Sequence, residues 1–136
     1  MSAVLDIPVD AARVWDGNFW WPTIPAGYFS FEDSTPEFVC RDQFGEIVLT
    51  LGQTPNSNGS YFAVQNTDFT NVQGLLIPAY SWLQLHIAPA DTATFASQTL
   101  TYEANITPPA AGPKWALMCG KLVFTESIVT PPVVQL

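Results

Sequence analysis

Apolar and polar residues alternate with a period of two along several short stretches of this chain. The clearest is Ser81–Ile87, where Leu83, Leu85 and Ile87 alternate with Trp82, Gln84 and His86. That spacing predicts a β-strand with one apolar face and one mixed face. Thr99–Ile106 repeats it, with Leu100, Tyr102, Ala104 and Ile106 on one side and Thr101, Glu103 and Asn105 on the other. Glu46–Leu51 and Ser60–Gln65 flank a run of turn formers from Gly52 to Gly59, which reads as a hairpin loop. Lys114–Phe124 is an apolar run broken at Gly120, which predicts a strand with a bulge there. Glu37–Asp42 and Ser127–Val134 are further strand candidates, and Pro131-Pro132 demotes the last to an edge or a tail. The expected core is Ile47, Leu49, Leu83, Leu85, Ile87, Leu100, Tyr102 and Val123.

Helix signals are scarce. Twelve prolines and eight glycines punctuate the chain, and β-branched and aromatic residues outnumber the strong helix formers. The 136 residues fit one domain. The expected fold is all-β, an antiparallel two-sheet sandwich, with a jelly roll preferred and an immunoglobulin-like sandwich as the alternative. Residues 1–11 and 129–136 carry prolines among apolar residues and read as extended arms.

Composition sharpens this picture. Hydrophobic residues make up 48% and charged residues 12%, about half the usual charged share of roughly 25%. Such a chain has few charges to cover its surface, and exposed apolar patches mark partner contacts. The net charge is −8, with four Lys and Arg residues against twelve acids. Four scattered cations cannot neutralise a run of phosphates, which argues against nucleic acid as partner and, by the same reasoning, against an anionic membrane surface. No apolar run approaches the roughly 20 residues of a membrane-spanning helix, and the first residues lack the pattern of a secretory signal. Cys40 and Cys119 are too few for a zinc site and are expected as buried free thiols, with a Cys40–Cys119 bridge as the alternative.

No catalytic centre is visible. His86 is the only histidine, and it lies mid-strand rather than beside a nucleophile. No nucleophile elbow, phosphate loop, metalloprotease helix, calcium loop or dinucleotide fingerprint occurs. The chain is expected to be no enzyme, and neither a cofactor nor a metal is expected. The distinctive segment is Val14–Phe31, which holds Trp15, Phe19, Trp20, Trp21, Tyr28, Phe29 and Phe31. Its aromatics fit a sandwich core, a protein-contact anchor or a sugar-stacking platform. Trp20 and Trp21 would point to opposite faces in an extended chain.

A compact acidic β chain, an apolar proline-bearing stretch at each end (Met1–Ala11 and Val129–Leu136) and the lack of catalytic motifs together resemble the small proteins that cement or decorate tailed-bacteriophage heads. The resemblance implies a partner, the major capsid protein, and self-association as a dimer or trimer on the outer surface of the capsid. It also implies a mechanical role, added interface area on the shell. The candidate partner-binding residues are Val4, Leu5, Ile7, Trp15, Phe19, Trp20, Trp21, Val133, Val134 and Leu136. The rival readings are a carbohydrate-binding module using its surface aromatics and another virion or fibre subunit.

Overall fold

The computed structural model describes residues 3–11, 13–20, 30–109 and 113–125. In chain order its elements are β1 (Ala3–Val4), β2 (Ile7–Val9), β3 (Trp15–Trp20), β4 (Thr35–Arg41), β5 (Ile47–Gly52), β6 (Tyr61–Val64), β7 (Phe69–Thr70), β8 (Leu76–Ile77), β9 (Trp82–Ile87), the short helix α1 (Pro89–Thr94), β10 (Thr99–Thr107) and β11 (Trp115–Phe124). The protein is therefore all-β with almost no helix.

Two sheets share one core. The larger is six-stranded and runs β1-β11-β10-β4-β5, with β2 also paired to β11; the smaller runs β3-β9-β6, and β7-β8 form a separate two-stranded ribbon. Pairing is antiparallel throughout except for β1 and β2, which run parallel to β11. The alternation of β9 and β10 buries the residues it predicts: Leu83, Leu85 and Ile87 from the small sheet meet Leu100, Tyr102, Ala104 and Ile106 from the large one in a single hydrophobic cluster. Phe38 of β4 and Phe62 of β6 bring the sheets together with ring centroids 5.6 Å apart. Full burial of such a ring stabilises the fold by about 1.5–3 kcal/mol.

Two expected core residues lie outside. Ile47 is 54% exposed and Val123 is 42% exposed. Val48 is the extra residue of a bulge, since Cys40 pairs with Leu49 and Arg41 with Ile47. Ile47 is thereby turned to the outer face that Arg41 occupies. Val123 pairs with Thr99, whereas Leu122 pairs with the buried Leu100, so the inward phase of β11 falls on Leu122 and Phe124.

Three further expectations are corrected. The turn-rich run from Gly52 to Gly59 joins no hairpin, because β5 pairs with β4 and β6 pairs with β9. It crosses between the sheets, and Gln53 closes the crossing with both its amide atoms on the Val64 backbone, at 3.0 and 2.8 Å. The bulge of β11 lies at Leu117, where the register steps from Ala104↔Met118 to Asn105↔Ala116. Gly120 answers a different need: a Cβ there would lie 2.1 Å from the Leu5 carbonyl oxygen. Lastly, the stretch from Ile7 to Val9 is no free arm. It is an edge strand whose Ile7 and Val9 are buried at 2% and 0% exposure, and Pro8 is tolerated there because the strand is at an edge. The proposed C-terminal arm lies outside the described residues.

Cys40 is buried and Cys119 is half-buried, and both are free thiols. Cys40 belongs to the core cluster, whereas Cys119 pairs with Glu103 on the opposite face of the sheet. A bond between them would require moving a strand. Burial pushes the Cys40 thiol up from 9.0 to about 12.

The candidate binding end

Register fixes which loops share an end. β3 finishes at Trp20 opposite Trp82, the start of β9, and β6 finishes at Val64 opposite Leu83. In the large sheet β5 ends at Gly52 opposite Glu37, and Thr107 closes β10 opposite Thr35. The segments around Phe31–Ser34, Gln53 and Gln65–Tyr80 meet there around one open cleft of about 410 Å³.

The ribbon β7-β8 stands beside this cleft. Its tip is an Asn71–Gly74 turn in which the Asn71 carboxamide oxygen accepts from the Gln73 and Leu75 backbone N–H groups, each at 2.9 Å. Gly74 takes the left-handed conformation that closes the turn, with φ +84°. The base is fixed to the small sheet. The Phe69 ring packs on Trp82 at 4.8 Å, the Trp82 indole N–H donates to the Thr67 carbonyl at 2.8 Å, and Ile77 is fully buried. A ribbon anchored in this way presents Val72 at 104%, Leu76 at 54% and Leu75 at 49% exposure. These side chains face water on a pinned scaffold, and sequence reading missed them. Their signal was legible as Asn71-Val-Gln-Gly74 between Phe69-Thr70 and Leu75-Leu76-Ile77, a short hairpin pattern.

Tyr80 ties the base of the ribbon to its neighbours. Its backbone N–H donates to the Gln65 carbonyl at 2.8 Å and its carbonyl accepts from the Phe31 N–H at 2.7 Å. It holds a left-handed backbone, φ 65°, as does Asp33 across the cleft, φ 61°. For a bulky residue that conformation is strained and persists only where the surroundings enforce it.

A polar network lies on the outer face of the small sheet. The Asp16 carboxylate bonds His86 Nδ1 at 2.7 Å and accepts from the Gln84 amide at 3.2 Å. The Tyr61 ring stacks on the His86 imidazole at 5.1 Å, and its hydroxyl donates to Gln84 at 3.2 Å. Burial, and then the Asp16 charge, push the Tyr61 hydroxyl above its ordinary value. Alternation along β9 put Gln84 and His86 on this face; Asp16 and Tyr61 arrive through strand pairing, which sequence periodicity does not reveal. The four groups thus bond and stack on one another on an open face.

A second polar cluster pins the crossing between the sheets to α1. Asp91 is 6% exposed and accepts from Ser60 at 2.5 Å, Asn58 at 2.8 Å and Asn56 at 3.1 Å. Burial raises the Asp91 carboxyl, but these three hydrogen bonds outweigh it and hold the group below its ordinary value. Among the described residues no group of three or more His, Cys, Asp or Glu side chains is placed to hold a metal, and no helix is long and apolar enough to cross a membrane.

The candidate contact residues are dispersed. Val4 is 81% and Leu5 42% exposed, on the β1 edge far from the ribbon in sequence, whereas Ile7 is inside the core and has no free surface for a partner. Trp15 and Phe19 are partly buried and pack on the core, stacked on each other at 6.4 Å. Gly17 makes room for them, since a Cβ there would lie 2.3 Å from the Trp15 ring. Trp20 ends β3, while Trp21, Val133, Val134 and Leu136 lie outside the described residues. No protein-family model matches this chain, and no curated protein sequence matches it significantly.

Proposed function

We propose that this chain is a non-enzymatic accessory protein of a virion head, an immunoglobulin-like sandwich that docks on the shell of the major capsid protein and stabilises it. The observation that carries the docking reading is the β7-β8 ribbon. Three aliphatic side chains held outward on an anchored hairpin lose little conformational freedom on binding, so their burial goes mostly into affinity. Val4 and Leu5 on the β1 edge offer a second apolar contact. Self-association as a dimer or trimer would cover part of this surface and suit a shell built on symmetry.

The fold within this reading rests on strand order. A β11-β10-β4-β5 sheet facing β3-β9-β6 follows the G-F-C-C′ and B-E-D order of immunoglobulin-like domains. The β4-β5 and β10-β11 hairpins lie within one sheet, which favours this topology over the jelly roll. The hallmarks of true antibody domains differ: Phe38 occupies the central position of β4, and no inter-sheet disulfide is formed.

The test is whether the protein co-purifies with virions in a fixed ratio to the shell subunit. Val72→Asp should lower its occupancy on purified shells without lowering its melting temperature, because Val72 makes no buried contact. Binding should also be insensitive to salt, since apolar burial carries it.

A further inference from the structure

The cleft beside the ribbon carries polar groups that the fold does not use. Gln53 is engaged at both its amide nitrogen and its oxygen by the Val64 backbone, and the Gln65 amide nitrogen donates to the Ala63 carbonyl at 3.3 Å, leaving its oxygen. By contrast, the Asp33 carboxylate, the Ser34 hydroxyl, the Asn66 carboxamide and the Tyr80 hydroxyl make no side-chain hydrogen bond among the described residues, although all four line the same cleft. Two of these residues, Asp33 and Tyr80, are also two of the three described non-glycine residues with positive φ. Strained backbone held in place by neighbouring loops is characteristic of ligand clamps.

We infer that this cleft binds a neutral, hydroxyl-rich ligand, a saccharide unit. A carboxylate, a carboxamide and two hydroxyls supply both donors and acceptors in the mixture that vicinal hydroxyls require. The half-buried Tyr80 ring adds an apolar face against which the C–H face of a pyranose can rest. None of the described lining residues is cationic, so a phosphate, sulfate or uronate would enter without a counter-charge beside Asp33. At about 410 Å³ the cleft has the size of a small-ligand site, of roughly 300–1,000 Å³. The inference concerns the isolated protein and stands apart from docking on a shell.

The experiment is a heteronuclear NMR titration of the full chain with glucose, galactose, mannose, N-acetylglucosamine and their disaccharides. At least one is expected to give saturable shifts centred on the amides of Asp33, Gln65, Asn66 and Tyr80. Asn66→Ala and Tyr80→Phe should each weaken that binding by about tenfold, the cost of one lost hydrogen bond to a bound ligand. Asp33→Gly, which keeps the left-handed backbone while removing the carboxylate, should weaken it at least as much. The inference is overturned if no sugar gives saturable shifts. It is equally overturned if the shifts map away from the cleft, or if the variants keep the wild-type spectrum and still bind as tightly.

Discussion

The Tyr102 hydroxyl donates a 2.6 Å hydrogen bond to the Leu5 carbonyl, across 97 residues of sequence. It fastens the N-terminal edge to the large sheet where the backbone passes over Gly120. Leu5 itself donates to the Cys119 carbonyl at 2.9 Å, and the Asp6 carboxylate accepts from the Lys121 N–H at 3.1 Å. What reads in the sequence as a loose arm is thus an edge strand with side-chain and backbone anchors.

Removing residues 1–7 should therefore destabilise the domain. Loss of Ile7 alone empties a core position, and Ile7→Ala should cost about 2–5 kcal/mol. Tyr102→Phe, which deletes only the hydroxyl, should cost about 1 kcal/mol and speed amide exchange at Leu5. Denaturant titrations of the variants give the energies, and hydrogen exchange locates the loosening.

Asp91 should behave as a latch on the crossing between the sheets. Asp91→Ala strands Ser60, Asn56 and Asn58 and should cost roughly 3 kcal/mol. Because hydrogen bonding holds the folded carboxyl below its ordinary value of 3.8, its contribution is fully present above that value. It is lost as pH falls through the lower folded value. Acid titration of the melting temperature should show a step in the wild type that is missing in Asp91→Ala.

At the alkaline side the sign reverses. Burial raises the Cys40 thiol from 9.0 to about 12, so the folded state holds a proton that the unfolded chain releases. That contribution, roughly 4 kcal/mol, is complete below pH 9 and disappears as pH rises towards 12. Tyr102 moves in the same direction, raised to about 12 by burial first and then by the neighbouring Cys119, Asp6 and Cys40. Stability measured by denaturant should decline across this window, and Cys40→Ala should flatten part of the decline. A thiol reagent at neutral pH should label Cys119 before Cys40.

Core and surface positions separate these effects. Leu85→Ala should cost about 2–5 kcal/mol, while Ile47→Thr and Val123→Thr should stay within about 0.5 kcal/mol. The contrast marks how far the sequence was legible. β9 and β10 were readable because apolar and polar residues alternate along them in sequence, although Trp82 and Asn105 of the other phase are buried too. Ile47 was misplaced because a bulge at Val48 inverts its phase, and bulges leave no periodic signature. The crossing from Gly52 to Gly59 looked like a hairpin because turn residues announce a change of direction and not the partner of the next strand. The fold class was open to local reasoning, whereas strand order depends on pairings between distant segments. Periodicity likewise does not separate a buried apolar residue from an exposed one: Ile7 is 2% exposed and Val72 104%.

The most direct test of the docking account is the stoichiometry of this protein on purified virions, compared between wild type and Val72→Asp. The account predicts a fixed, saturable ratio of wild-type chain to major capsid protein, and a clear loss of occupancy in a variant whose melting temperature is unchanged. Absence of the protein from particles, or equal occupancy by wild type and Val72→Asp, would contradict it.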